Sequence, residues 1–390
     1  MIKRTSESEL KYLAAHYKAV AVVGPRQSGK TTLVRFVFPN KPYVSLENPD
    51  TRNFATVDPR GFLSNYPDGA ILDEAQRVPS LFSYLQQILD ESALNGLFII
   101  TGSNNFLLQE NISQSLAGRI GYLNLLPLSI DEISDFGLKP DRLMFMGGYP
   151  ALYNGSADVS KWYANYIRTY VERDVRMLKN ISDLSTFERF LRLCAGRIGH
   201  LLNMSSLAIE TGVDIKTISS WISVLETSFI VFRLQPYPEN FNKRVVKMPK
   251  LYFYDTGLAV ALLGFDSERH LDLHPFRGNL FENMVIVEFL KRRFNEGKTN
   301  NLFFWRDNVG NEIDLLLVDG LTKTPIEIKS GQTITNEYFK GILYWNKISH
   351  TQGGYVIYAG ESEQKRGNGI TVLPLVGKGT LARVVDLHIL

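Results

Sequence analysis

Three groups of residues in this chain have the types and spacing to do chemistry. The first is Gly24-Pro25-Arg26-Gln27-Ser28-Gly29-Lys30-Thr31, which fits G-x-x-x-x-G-K-[ST] and runs on through Thr32. Its glycines let backbone N–H groups curl around phosphate oxygens with no Cβ in the way, and a following helix adds a favourable dipole. Lys30 would bring a point charge to the β- and γ-phosphates, and Thr31 a hydroxyl to Mg²⁺. The second group is Ala70-Ile71-Leu72-Asp73-Glu74, an apolar run ending in two carboxylates. Asp73 would support the metal and Glu74 would polarise a water for in-line attack. An Asp-Glu pair, rather than a lone Asp, points to hydrolysis. The third is a later set of acids: Glu282, Glu312-Ile313-Asp314 and Glu327-Ile328-Lys329.

Two polar positions complete the phosphate site on paper. Leu97–Thr101 reads as a buried strand leading into Ser103 and Asn104, either of which would reach the γ-phosphate or the attacking water, Asn104 having the longer reach. Ser115-Leu116-Ala117-Gly118-Arg119 offers Arg119, as a charge on the transferred phosphoryl group in cis or from a neighbouring subunit, or as a helix-end arginine satisfying carbonyls.

These groups need elements to hold them. Candidate strands at Ala19–Val23, Tyr43–Leu46, Ala70–Leu72, Leu97–Thr101 and Tyr122–Leu126 alternate with helical patterns near Thr31–Phe38, Pro59–Tyr66, Leu81–Ser92 and Phe106–Leu116. That alternation predicts a parallel sheet covered by helices, with strand carboxyl ends sharing one crevice. From about Trp162 to Leu263 helices dominate. Met204–Ala208, Gly212 and Asp214–Thr227 read as helix, turn and helix, with Lys216 near the start of the second helix. The stretch after it carries Lys243, Arg244, Lys247 and Lys250, and would form a basic wing along phosphates or a protein-binding face. Beyond Gly278 a helix (Leu280–Arg293) precedes strands at Leu302–Arg306, Glu312–Val318, Pro325–Lys329 and Gly354–Tyr358. Side chains alternate along a strand, so Glu312 and Asp314 share a face, as do Glu327 and Lys329. A paired arrangement would let Asp314, Glu327 and Glu282 hold Mg²⁺ while Lys329 positions water; the plainer alternative is an ion-pair face.

Composition sets the frame. The 390 residues are 44% hydrophobic and 21% charged, which excludes a disordered or fibrous chain. One cysteine excludes a disulfide framework. No apolar run reaches the ~18 residues that span a bilayer, and the N-terminus lacks a secretory pattern, so a cytoplasmic protein with no membrane partner is expected. The net charge is +3, but residues 160–250 alone carry +6. A basic middle suits a polyanion such as DNA. Punctuation near 150 and 270 divides the chain into expected domains 1–150, 151–270 and 271–390.

In order and wording the motifs resemble the AAA-type branch of P-loop ATPases. More narrowly they are similar to bacterial and archaeal AAA-like ATPases that join a P-loop domain to a C-terminal region of uncharacterised function. The strings that carry this are GPRQSGKTTL, ILDEAQRVPSLF, FIITGSNNFLL, SLAGRIGYLNLLPLS, GGYPAL, YVERDV and KMPKLYFYDTGL. The resemblance implies ATP binding, Mg²⁺-dependent hydrolysis, a nucleotide-sensing role for Arg119 and a winged-helix fold in the middle. Glu282, Asp314 and Glu327-x-Lys329 resemble the core of the PD-(D/E)XK nuclease superfamily. The expected fold is therefore α/β: an AAA-like parallel sheet with helices on both faces, then a helical winged-helix domain, then an α/β restriction-endonuclease-like domain. The expected function is an ATPase coupled to a DNA-binding, nuclease-like half. The competing expectation is a nucleotide-gated module that binds protein or DNA without cutting, acting alone or as a homo-oligomer.

Overall fold

The computed structural model describes residues 2–103, 115–155, 157–170, 183–239, 241, 245–272, 274–376 and 379–386. The chain forms two compact units. The first comprises Met1–Leu128, Val224–Ile230 and Lys291–Thr299; the second comprises Ser129–Ser223, Val231–Leu290 and Asn300–Leu390.

In the first unit, β1 (Ala19–Gly24), β2 (Tyr43–Ser45), β3 (Ala70–Asp73), β4 (Phe98–Ser103) and β5 (Ile120–Asn124) form a sheet in the order β2-β3-β4-β1-β5. All its pairings are parallel. Every position of β1 is buried, as expected for a central strand covered on both faces. The covering helices are α1 (Glu7–His16), α2 (Lys30–Val37), α3 (Pro49–Val57), α4 (Pro59–Ser64) and α5 (Leu81–Glu91). One side of the core packs Leu10 and Leu13 of α1 and Leu33 and Val34 of α2 onto Val20, Val22, Ile71 and Ile99. The expected parallel α/β sheet therefore forms, with strand ends moved by at most two residues. β5 ends at Asn124 although the apolar run continues through buried Leu125, Leu126 and Leu128. Helices α1 and α3 escaped the sequence reading because each buries few side chains, Leu10 and Leu13 in α1 and Ala55 in α3, and so shows little apolar periodicity. The helix expected over 106–116 lies almost wholly outside the described residues.

The second unit begins with helices α6 (Pro140–Met146), α7 (Val159–Tyr170), α8 (Leu184–Ala195), α9 (Met204–Thr211) and α10 (Ile215–Thr227, whose last residues belong to the first unit). Gly212 turns α9 toward α10 with a left-handed φ of 77°, a conformation that glycine adopts without strain. The rings of Tyr149, Trp162, Tyr163 and Tyr166 pack on one another, so the aromatic run of α7 is helix packing. β6 (Val231–Pro236) and β7 (Lys250–Phe253) pair antiparallel, and α11 (Thr256–Leu262) follows. Then come α12 (Arg277–Asn295), β8 (Leu302–Arg306), β9 (Glu312–Asp319), β10 (Thr322–Lys329), α13 (Lys340–Ser349), β11 (Gly354–Tyr358), β12 (Gln364–Lys365), β13 (Ile370–Pro374) and α14 (Thr380–Asp386). Eight strands join in the order β12-β13-β11-β10-β9-β8-β6-β7. β8, β9 and β10 form an antiparallel meander, and β11 runs parallel to β10. β6 pairs in parallel with β8 at Gln235 and Pro236, so the hairpin assigned to a wing is continuous with the later sheet. The core of this unit gathers Trp305, Ile313, Leu316, Trp345, Val356 and Tyr358.

Candidate functional sites

The phosphate loop joins the carboxyl end of β1 to the first turn of α2. Gln27 (φ 62°) and Gly29 (φ 93°) both take left-handed conformations, which turn successive N–H groups toward one concavity. A Cβ on Gly24 would stand 2.2 Å from the Leu125 carbonyl oxygen, so no larger residue fits there. Lys30 reaches back into the concavity and donates to the carbonyls of Gly24 (3.0 Å) and Pro25 (2.7 Å). The Ser28 hydroxyl is buried without a hydrogen-bond partner. Pro25 is buried, Arg26 half-buried, and Thr32 on the first turn of α2 exposed. Arg4, only 6% exposed, donates to Ser28 O and Leu126 O, both at 2.8 Å, and so ties the loop to the chain beyond β5.

Asp73 ends β3, two strands from β1. It is 8% exposed and accepts three hydroxyls: Thr31 on Oδ1 at 3.1 Å, Thr101 on Oδ1, and Tyr43 on Oδ2 at 2.7 Å. Burial, and then the Asp73 carboxylate, push the Tyr43 hydroxyl up to about 12. Glu74 follows in a left-handed conformation (φ 57°), uncommon for a non-glycine residue, and accepts a 2.5 Å hydrogen bond from Gln76 Nε2. The loop and the Asp-Glu pair thus meet at the same edge of the sheet. An orphaned hydroxyl, a lysine folded onto carbonyls and a Thr–Asp pair suit a site built for a phosphate chain with a small cation.

Arg119 stands elsewhere. Its carbonyl accepts from Ala19 N at 3.1 Å, at the opening of β1, and its side chain pairs with Asp90 (2.9 Å from Nη2). The length of β1 separates that end from the loop, about 16 Å at ~3.3 Å per residue. The structure therefore does not bring Arg119 to its own phosphate loop. Asn104, Lys243 and Arg244 lie outside the described residues; Lys216 and Lys247 are exposed.

The second unit holds the other cluster. Asp314 on β9 accepts from Ile328 N (2.8 Å) and from Lys329 Nζ (3.1 Å), and Lys329 also pairs with Glu327 at 2.6 Å. Glu282 on α12 accepts from Lys250 Nζ (3.0 Å) and from the Tyr252 hydroxyl, and Lys250 pairs in addition with Glu312. Arg306 holds the other oxygen of Glu312 at 3.1 Å. Burial pushes Glu282 and Glu327 up, Glu327 well above the usual range with Asp314 adding to it. Burial acts the same way on Asp314, but Lys329 and Lys250 outweigh it and hold the group below the usual range. Burial alone would lower Lys250, yet Glu282, Glu312 and Asp314 keep its ammonium well above the ordinary value. Lys250 is 3% exposed and so is not on the surface where the basic-wing reading had put it. Among the described residues, no three His, Cys, Asp or Glu side chains converge as metal ligands. The motif reading missed Arg4, Tyr43, Thr101 and the pairing of Lys250. Only Thr101, a hydroxyl closing a buried strand, left a local signal.

Residues 16–134 match the family described as AAA domain. Residues 139–269 and 277–376 match two domains of unknown function, DUF8612 and DUF4143. An uncharacterized protein of Mycobacterium tuberculosis is 32% identical over 318 residues, covering 80% of this chain and 70% of its own. An uncharacterized protein of Methanocaldococcus jannaschii is 24% identical over 338 residues, covering 77% and 72%. Among solved structures, the Walker-type ATPase of Pyrococcus abyssi aligns over 67% of this chain and 96% of its own, with 16% identity and a TM-score of 0.45. The chain belongs to the family of that mycobacterial protein, with an AAA-like P-loop ATPase domain followed by a DUF4143 domain.

Proposed function

We propose that this protein is a Mg²⁺-dependent ATPase whose phosphate-loop domain works on a DNA-binding, nuclease-like half. In this reading residues 1–150, 151–270 and 271–390 act as the ATPase, winged-helix and nuclease-like domains. One observation carries the ATPase assignment: Lys30, Thr31, Asp73 and Glu74 sit at a single edge of the parallel sheet, beside the concave loop 24–29. Lys30 would leave the carbonyls of Gly24 and Pro25 for the β- and γ-phosphates, while the N–H groups of the loop take the remaining oxygens. Thr31 and Asp73 would hold Mg²⁺, which supplies positive charge to those phosphates. Glu74 would exchange Gln76 for a water, orient it in line with the γ-phosphorus and accept its proton. The family likeness favours ATP over other nucleotides.

Arg119 fits this scheme only from a neighbouring copy, because its own loop lies at the far end of the strands. The exposure of Lys216 and Lys247 supports the DNA contact of this reading. The run α12-β8-β9-β10-α13-β11, with Glu282, Asp314, Glu327 and Lys329 on it, supports the nuclease-like reading of the last domain.

Two variants test the ATPase. Lys30→Ala is expected to lose nucleotide binding. Glu74→Gln should keep it and lose at least about a hundredfold in turnover, the usual scale of general acid–base help. Equal nucleotide affinity in Lys30→Ala and the unaltered chain would overturn the assignment. A second reading, a nucleotide-gated binding module with slow hydrolysis, draws support from the Gln76–Glu74 hydrogen bond, which occupies the candidate base. ATP turnover with and without DNA separates the two.

A further inference from the structure

The carboxylate cluster of the second unit already contains a cation. Lys250 comes from β7, outside the helix and strands that supply the acids, and enters from the hairpin side of the sheet. Its Nζ lies 3.0 Å from Glu282 Oε1, pairs with Glu312, and stands 5.5 Å from the centre of the Phe304 ring. The side chain is walled off from water. Tyr252, two residues along the same strand and therefore on the same face, donates its hydroxyl to Glu282 as well. On the other side, Lys329 pairs with both Asp314 and Glu327. Four carboxylates thus share two ammonium groups and the Arg306 guanidinium.

A divalent ion needs oxygen ligands at about 2.0–2.6 Å from one point. Here Glu282 Oε1 and both oxygens of Glu312 turn to nitrogens, and a metal placed beside Asp314 would face the ammonium groups of Lys329 and Lys250. The donor set does not suit a metal nuclease in this arrangement. We propose that Lys250 is the resident cation of the cluster. It takes the place a divalent metal would hold between Glu282 and the β9 acids, and so converts a nuclease-like site into a metal-free node that ties β7 to α12 and β9 without cutting nucleic acid. The inference concerns only this cluster and stands apart from ATP hydrolysis.

The test uses the full chain, stripped of metal and kept free of nucleotide. Mn²⁺ is titrated into the unaltered protein and into Asp314→Asn, with free ion read by electron paramagnetic resonance. The two titrations are expected to superimpose. A stoichiometric Mn²⁺ site that Asp314→Asn abolishes would overturn the proposal. Lys250→Ala is expected to melt at a lower temperature and to take up Mn²⁺ at least about tenfold more tightly than the unaltered chain. It should also recover part of the lost melting temperature on adding the ion. The paired Lys250→Met/Glu282→Gln variant, which removes both charges, should regain stability with no Mn²⁺ response. Lys250→Ala that melts like the unaltered chain and binds no Mn²⁺ also defeats the idea. Should Lys250→Ala not fold, the comparison with Asp314→Asn decides alone. Strand nicking in Mn²⁺ that is lost in both Asp314→Ala and Lys329→Ala would count against it equally.

Discussion

Asp73 illustrates how little of a site needs to be local. Two oxygens accept three hydroxyls, from the first turn of α2, the end of β4 and the start of β2. The carboxylate is oriented before any cation arrives. Tyr43 is itself braced by the Arg35 guanidinium, 4.8 Å from its ring centre. In the proposed ATPase, Tyr43→Phe removes one oriented hydrogen bond, worth about 0.5–1.5 kcal/mol. The Mg²⁺ concentration for half-maximal turnover should rise about two- to tenfold. Affinity for nucleotide in chelator should not change, because the Tyr43 hydroxyl reaches the site only through Asp73. A metal titration of turnover beside fluorescent-nucleotide binding in EDTA measures both; equal loss in both would assign the effect to the ring instead.

Among the elements, α11 is anchored through a single residue. Asp255 caps it, accepting from Leu258 N at 2.9 Å, and also accepts from Gly148 N (2.7 Å) and the Tyr163 hydroxyl (2.6 Å). One buried carboxylate therefore joins α11, the turn after α6 and the middle of α7. Space is short here: a Cβ on Gly257 would stand 2.3 Å from the Tyr163 oxygen. Tyr163 can turn its proton to Met146 O, but the two N–H groups have no other acceptor among the described residues. Asp255→Ala strands them at about 1–3 kcal/mol each, so a loss of about 3 kcal/mol is expected in denaturant unfolding. The string YDTGL thus has a structural reason for its aspartate, although it served the sequence reading only as a family signature.

At the scale of the whole molecule, the placement of Arg119 makes hydrolysis in the proposed ATPase a question of assembly. An arginine at the amino ends of the strands cannot serve a loop at their carboxyl ends within one chain. Under the proposed reading, Arg119→Ala and Lys30→Ala should each be nearly inactive alone. Mixed, they should regain turnover, because an intact loop in one copy meets an intact arginine in the other. Full activity of Arg119→Ala by itself would leave the Asp90 ion pair as the only role for this residue. No helix among the described residues is long and apolar enough to cross a membrane.

Patterns written within a few residues of each other were legible without coordinates. The loop 24–31, the Asp73-Glu74 strand end, the parallel α/β alternation and the helix–strand order around Glu282, Asp314 and Glu327 follow from glycine placement, apolar runs and the two-residue period of strands. What the tertiary structure decided were meetings between distant segments: Arg4 with Ser28, Tyr43 with Asp73, and Lys250 with Glu282 and Glu312. The sequence shows Lys250 as one more charge in a basic stretch. Its burial among acids depends on sheet order, and sheet order is set by the packing of the whole unit, which no local spacing encodes.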